Sequence, residues 1–232
     1  MIQDTAVIKE VIRATPTVVL VRFNLKSGQS LNYRPGQYVQ IILKKEDKLL
    51  IKNYSIVSSP SQKNYIELCL KVVPNGYMSN LLANLKKGQE LQMRGPLGIF
   101  FLKEPLENDA IFLATGTGIS SIKPMINVIF EKGTEKQVWL FFGVNSEDEI
   151  VYRKEFEELV KKHHNFHFVP VLSDPDKPWK GETGYVQAVM TKLLKDFSGK
   201  DVYLCGVQAA VEEQKVLCDK LGFKNIYFEK YV

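Results

Sequence analysis

FLATGTGISSIKP, residues 112–124, is the stretch whose reading decides the fold. The apolar run reads as a strand, Gly116-Thr117-Gly118 as a turn, and the remainder as a helix that tolerates an early proline. In a βαβ unit the strand delivers the chain to a helix N-terminus, where free backbone N–H groups and the helix dipole favour an anion. Gly116 and Gly118 remove side chains that would block the close approach of a pyrophosphate. The full dinucleotide fingerprint has a third glycine, and here that position is Ser121. Taken alone the turn reads more readily as a tight strand-to-helix connection than as a nucleotide site. No P-loop lysine follows at the required spacing, which argues against phosphoryl transfer. Nor does the next apolar run, QVWLFFGVNSED, end on an acid: Gly143-Val144-Asn145 comes first.

The same rhythm continues on the C-terminal side. AIFLATG, QVWLFFG, FHFVPVL, VYLCG and NIYFEKY read as strands, and amphipathic helical stretches separate them: SSIKPMINVIFEKG, YRKEFEELVKKHH, YVQAVMTKLL and VEEQKVLCDKLGF. Continuous apolar strands alternating with helices make βαβ units and a parallel sheet. On the N-terminal side the pattern differs. AVIKEVI, TVVLVRFNL, QYVQIIL, LLIKNYSIV, YIELCLKVV and ELQMRG are short β-branched and aromatic runs punctuated by turn residues, as in a small antiparallel barrel. One helix interrupts them, MSNLLANLKKG, with Gly88 as its natural stop. The fold expected is therefore a two-domain one, an antiparallel β-barrel over 1–102 followed by an α/β parallel-sheet, Rossmann-like domain over 103–232. A chain of 232 residues accommodates both.

Composition narrows the classes. The chain is 45% hydrophobic and 25% charged, with no low-complexity tract, so it is expected to fold as a globular protein. No apolar run approaches the roughly 18 to 20 residues a bilayer crossing needs, and MIQDTAVIKEVI lacks signal-peptide regions, so a cytoplasmic location is expected. Cys69, Cys205 and Cys218 are too scattered for a disulfide framework, and no C-x4-C-x2-C run is present for a plant-type iron–sulfur cluster. The histidines, His163, His164 and His167, lie in one polar stretch with no completing carboxylate or thiolate, so no metal site is expected. The net charge of +5 fits an acidic partner or anionic ligand, and fits a solvated lysine surface better. No signature of nucleic-acid binding appears.

Six motifs in order carry a wider resemblance: Arg34-Pro35-Gly36-Gln37-Tyr38, Lys52-Asn53-Tyr54-Ser55, Gly76-Tyr77-Met78-Ser79, Gly95-Pro96-Leu97-Gly98, Gly116-Thr117-Gly118-Ile119 and Cys205-Gly206. Over essentially its whole length the chain resembles the ferredoxin–NADP reductase superfamily. The resemblance implies FAD on the barrel and NADH or NADPH on the parallel domain, meeting at the flavin. Lys52 stands where the family motif has arginine, and an ammonium neutralises a pyrophosphate without the bidentate fork. Tyr54 would lie along the flavin or its ribityl chain, and the Ser55 hydroxyl near flavin N5. By spacing alone, Tyr54-Ser55 is a strand pair alternating in and out. Gly76 and Ser79 would serve the FAD pyrophosphate, with Asn53, Val72 and Met78 along the same cofactor. Ser79 reads equally as a helix N-cap.

In the second domain the resemblance assigns Gly116, Thr117 and Gly118 to the nicotinamide dinucleotide. It places Cys205 and Gly206 beside the nicotinamide, although GVQAAVEEQ departs from the family's more usual proline-bearing turn and a strand-end cysteine is commonly just a small buried residue. The ending Phe228-Glu229-Lys230-Tyr231-Val232 resembles the Glu-x-aromatic ending of some members. It implies a proton path through Glu229 and a flavin-covering Tyr231; a terminal strand packed on the sheet accounts for it as well. Leu172-Ser173-Asp174 replaces a Ser-Arg pair associated with the 2′-phosphate. Asp174 would repel that phosphate, with Lys177 and Lys180 near enough to compensate, so NADH is favoured. The function implied is an NAD(P)H-dependent oxidoreductase in which Ser55, Cys205 and Glu229 act at the reacting centre. Electrons would pass from FAD to a separate acceptor: a ferredoxin, a flavodoxin, an oxygenase component or a free flavin. The alternatives are a reductase that uses free flavin as substrate and a subunit active only in a complex, for which exposed apolar surface at Ile99, Phe100 and Phe101 is the expected sign.

Overall fold

Side chains alternate along the N-terminal strands, and their apolar faces gather one core. The strands are β1 (Ile2–Arg13), β2 (Val18–Leu25), β3 (Tyr38–Lys45), β4 (Lys48–Ser55), β5 (Ile66–Lys71) and β6 (Glu90–Leu97). They form an antiparallel sheet in the order β4-β3-β6-β1-β2-β5. The sheet curls until the chain just beyond β4 meets β5 at a single bridge, Ile56 to Leu68. Inside the curl lie Ala6, Val21, Phe23, Val39, Ile41, Leu68 and Met93, all buried.

The helix of this unit, α1, spans Tyr77–Ala83, shorter than the sequence pattern implies. It stops at Asn84 rather than Gly88, because the chain has already turned: the Gly88 N–H donates to the Ile8 carbonyl and Lys86 N–H to the Gln89 side chain. Two buried residues, Met78 and Leu82, dock it on the core.

The second sheet is parallel throughout, in the order β10-β9-β8-β7-β11-β12. Its strands are β7 (Ala110–Thr115), β8 (Val138–Val144), β9 (Phe166–Leu172), β10 (Glu182–Thr183), β11 (Asp201–Val207) and β12 (Asn225–Tyr231). The helices are α2 (Ile119–Lys132), α3 (Arg153–Lys162), α4 (Val186–Leu193) and α5 (Gln208–Leu221). β7 and β11 are buried along nearly their whole length, the signature of a sheet covered on both faces. The two-residue β10 was not legible: it rests on register pairs to Val171 and Leu172 and has no apolar run of its own.

This computed structural model describes residues 1–175 and 178–231. It divides into Met1–Leu102 with Lys123–Val128, and Lys103–Ile122 with Ile129–Val232. Among the described residues no helix is long and apolar enough to cross a membrane, and no group of side chains is arranged to hold a metal ion. His163 packs on Phe130, and His167 stacks on Trp139 and bonds to Gln137.

Leu82 is fully buried in a short helix that also packs Met78, Leu81 and Ala83 on the core. Leu82→Ala is expected to cost about 2–5 kcal/mol in denaturant unfolding. A loss below about 1 kcal/mol would mean that α1 is docked by something else.

Candidate functional site

β7 is the strand at which the order of the parallel sheet reverses, with β8 on one side and β11 on the other. In open α/β sheets the crevice for a ligand lies at the carboxyl ends of the strands at such a point. Here β7 ends on Thr115, and Gly116–Gly118 make a short 3-10 turn into α2. The turn lies flat on the end of β11. A Cβ on Gly118 would sit 2.1 Å from the Cys205 carbonyl oxygen, and one on Gly206 would sit 1.8 Å from Thr115 Oγ1. Gly116 has φ +53° and open space where its side chain would be. The α2 N-terminus has no side-chain cap and no acid in its first turn. Beneath it Thr115 Oγ1 is buried with no hydrogen-bond partner. An open glycine, uncapped N–H donors and an orphaned hydroxyl fit a dinucleotide. Thr117 is half-exposed within the turn. Thr115, one residue ahead of the motif, escaped the sequence reading.

Four side chains converge next to this turn. Cys205 on β11 pairs in register with Glu229 on β12, and Val207 with Tyr231. Gly118 and Ser121 are three residues apart, hence on one side of α2, and Ser121 reaches β12. Its Oγ donates to Glu229 Oε2 at 3.0 Å and lies 3.1 Å from the Tyr231 hydroxyl. The Cys205 thiol donates to the same tyrosine oxygen at 3.4 Å. Ser121 and Cys205 are fully buried. Burial pushes the Glu229 carboxyl up to about 7, partly offset by the Ser121 hydrogen bond. Burial, with the Glu229 charge beside it, also raises Cys205 to about 12, so the sulfur is a thiol at neutral pH. Tyr231 is raised as well, again chiefly by burial. The sequence reading assigned Cys205, Glu229 and Tyr231; it registered Ser121 as a missing glycine, which was the available signal.

In the first unit, period 2 sets Lys52 and Tyr54 on one face of β4 and Asn53 and Ser55 on the other. Lys52 is exposed, and the Tyr54 ring packs against the barrel core, where burial raises its hydroxyl to about 12. Ser55 is buried opposite Tyr38, and Asn53 bonds to Gln40. Gly98, at φ +101°, would bring a Cβ to 3.0 Å from the Tyr38 ring, and the Gly98 carbonyl accepts from Gln37 Nε2. The Gly95-Pro96-Leu97-Gly98 and Arg34-Pro35-Gly36-Gln37-Tyr38 motifs thus pack on each other. Ser79 Oγ accepts from the Val73 N–H and donates to the Gly76 carbonyl, bracing the turn before α1. Met78 is buried in the core, and half-buried Val72 donates its N–H to the Thr17 carbonyl. Of the apolar trio 99–101, Ile99 is exposed, Phe100 is buried and Arg34 stacks on Phe101 at 3.6 Å. The expected apolar patch there reduces to one side chain.

At the carboxyl edge of the parallel sheet, Ser173 and Asp174 donate their N–H groups to the Val144 and Asn145 carbonyls. This pins Asp174 beside the end of β8 with its carboxylate exposed. Lys180 is also exposed, and Lys177 lies outside the described residues.

Two measurements check this geometry. Gly118→Ala should unfold at clearly lower denaturant than Gly116→Ala, because the first forces a methyl into backbone and the second costs only the positive φ, about 1 kcal/mol; equal losses would contradict the packing of the turn on β11. Glu229 binds its proton more tightly folded than unfolded. Its contribution to stability is therefore full below pH 4.5 and lost as pH rises through about 7. Between pH 5 and 8 the Tm of the wild type should fall relative to Glu229→Gln, and parallel curves would refute the burial of this carboxyl.

Two family models match the chain, one after the other. The oxidoreductase FAD-binding domain model matches residues 5–102, and the oxidoreductase NAD-binding domain model matches residues 112–215. The chain is 31% identical over 207 residues to the anthranilate 1,2-dioxygenase electron transfer component of Acinetobacter baylyi, covering 88% of this chain and 60% of that protein. It is 28% identical over 226 residues to ferredoxin–NADP reductase B of Sorangium cellulosum, covering 94% of this chain and 93% of that one. The Amycolatopsis cytochrome P450 reductase superposes with a TM-score of 0.90 at 25% identity, over 99% of this chain and 69% of that structure. With both domain models matched in order, the chain belongs to the ferredoxin–NADP reductase superfamily of FAD- and NAD-binding oxidoreductases.

Proposed function

We propose that the chain is an NAD(P)H-dependent flavin reductase: residues 1–102 hold FAD, residues 103–232 hold the nicotinamide dinucleotide, and electrons leave to a separate acceptor. The orphaned Thr115 hydroxyl beneath the open Gly116 turn carries the nicotinamide half of this reading. When bound, FAD supplies acceptance of a hydride and its release as single electrons. The chain's own residues bind and orient. The uncapped start of α2 takes the pyrophosphate, with Gly116, Thr117 and Gly118 admitting it closely. Cys205, kept neutral by burial, and Gly206 form a small, uncharged wall for the nicotinamide. Ser55 presents a hydroxyl for flavin N5, Tyr54 an aromatic face and Lys52 a charge for the FAD phosphates, with Asn53, Val72, Gly76, Met78 and Ser79 around them. Glu229 holds a proton near neutral pH, and Tyr231 covers the flavin ring until nicotinamide displaces it.

The acceptor we infer is a separate redox protein. The electron transfer component from Acinetobacter is named for such a role, and the net charge of +5 suits an acidic surface. Two observations favour a second reading, a reductase that takes flavin as substrate: the Ser79 hydroxyl is already committed to the turn before α1, and Lys52 lacks a guanidinium fork. For the nicotinamide we infer NADH, because the exposed carboxylate of Asp174 opposes a 2′-phosphate.

Ser55→Ala should slow hydride transfer, read as flavin bleaching in stopped flow, far more than it weakens flavin binding; equal loss of both would reduce Ser55 to a strand residue. Asp174→Ser should narrow the NADH over NADPH preference in kcat/KM by about tenfold. An unchanged ratio would remove Asp174 from the specificity site.

A further inference from the structure

The third glycine of a dinucleotide turn exists to let the helix approach the strand. Here the close approach is achieved by Gly118 and Gly206, and the position three residues on carries a hydroxyl instead. That hydroxyl sits at the centre of a chain of groups drawn from three elements: Cys205 on β11, Glu229 and Tyr231 on β12, and Ser121 on α2.

Hydrogen-bond accounting fixes the chain's direction. An ionised carboxylate only accepts, so the single Ser121 proton goes to Glu229 Oε2. Ser121 Oγ then accepts from the Tyr231 hydroxyl, and the Tyr231 oxygen accepts from the Cys205 thiol. Every donor points toward Glu229. When Glu229 is protonated its own O–H becomes a donor toward Ser121, which frees the serine proton for Tyr231 and turns the tyrosine O–H from Ser121 toward the Cys205 sulfur, which then accepts. No bond is broken within the chain; only the donors reverse.

We propose that Ser121 is a positioning residue that ties the Glu229 carboxyl to the Tyr231 hydroxyl, so that the protonation of Glu229 sets the orientation of the tyrosine O–H. Among the described residues, the groups facing Glu229 come from three elements. β11 contributes Cys205, its own strand Tyr231, and α2 the non-titrating hydroxyl of Ser121. The charges of α5 lie on the opposite face of β12, where Glu212 pairs with Lys230 and Lys215 stacks on Phe228. Burial raises the Glu229 carboxyl to about 7, which brings the reversal within a pH range the folded chain can be titrated over. The chain stands on the geometry of these four residues; only its consequence, a flavin-covering tyrosine whose hydroxyl responds to the charge of Glu229, rests on the proposed function.

The test is NMR on the full chain, labelled with 13C at Glu Cδ and Tyr Cζ. Glu229→Gln and Tyr231→Phe assign the signals. In the wild type, Tyr231 Cζ should show a step with the same midpoint as Glu229 Cδ. In Ser121→Ala the Glu229 midpoint should rise by roughly one pH unit, the size of one hydrogen bond to a carboxylate, and the tyrosine step should lose most of its amplitude. Ser121→Thr, which keeps the hydroxyl, should restore both. Should Ser121→Ala fail to fold, the threonine variant and Glu229→Gln decide: the first must keep the tyrosine step and the second must abolish it. A wild-type tyrosine signal that ignores the Glu229 titration would overturn the assignment, as would a step undiminished in Ser121→Ala. A protein that bound no nicotinamide yet showed the coupled titration would refute the proposed function and leave Ser121 in place.

Discussion

The Gly-Thr-Gly turn lies directly on the backbone at the end of β11, and the contact leaves no room for one methyl group. A Cβ at Gly118 would meet the Cys205 carbonyl, and one at Gly206 would meet Thr115. From that contact the rest of the second unit follows. It fixes where α2 starts, leaves that start without a side-chain cap at the point where the sheet order reverses, and brings Ser121 to the paired ends of β11 and β12. A looser crossing would separate the Gly-Thr-Gly turn from Cys205, Glu229 and Tyr231.

The first unit is organised by a comparable constraint. Two of its motifs, at 34–38 and 95–98, are bound to each other through Tyr38, Gln37 and Gly98, which explains their residue types by packing and leaves β4 to carry the side chains assigned to the cofactor. Ser79 illustrates the same economy, since its hydroxyl and Gly76 together close the turn that leads into α1.

Much of this was legible in the sequence, for a physical reason. Central parallel strands such as Ala110–Thr115 are buried on both faces and read as unbroken apolar runs, whereas a barrel strand such as Tyr38–Lys45 alternates. Glycine motifs were legible because close approach, as at Gly118 and Gly206, or a positive φ, as at Gly116, disfavours other residues. What was not legible depended on partners distant in sequence. The two-residue β10 exists only by pairing with β9. The early end of α1 reflects a bond from Gly88 to Ile8, eighty positions away in sequence order. Thr115 and Ser121 became visible as site residues only when burial and the partners on β12 were known.

The most direct test of the account is an absorbance spectrum of the purified protein under argon, followed by titration with NADH and then NADPH. A bound flavin bleached by NADH at lower concentration than by NADPH is the predicted result. A colourless protein that oxidises NADH only when free flavin is supplied would contradict retained FAD, and a bound flavin that neither nucleotide bleaches would contradict the reductase itself.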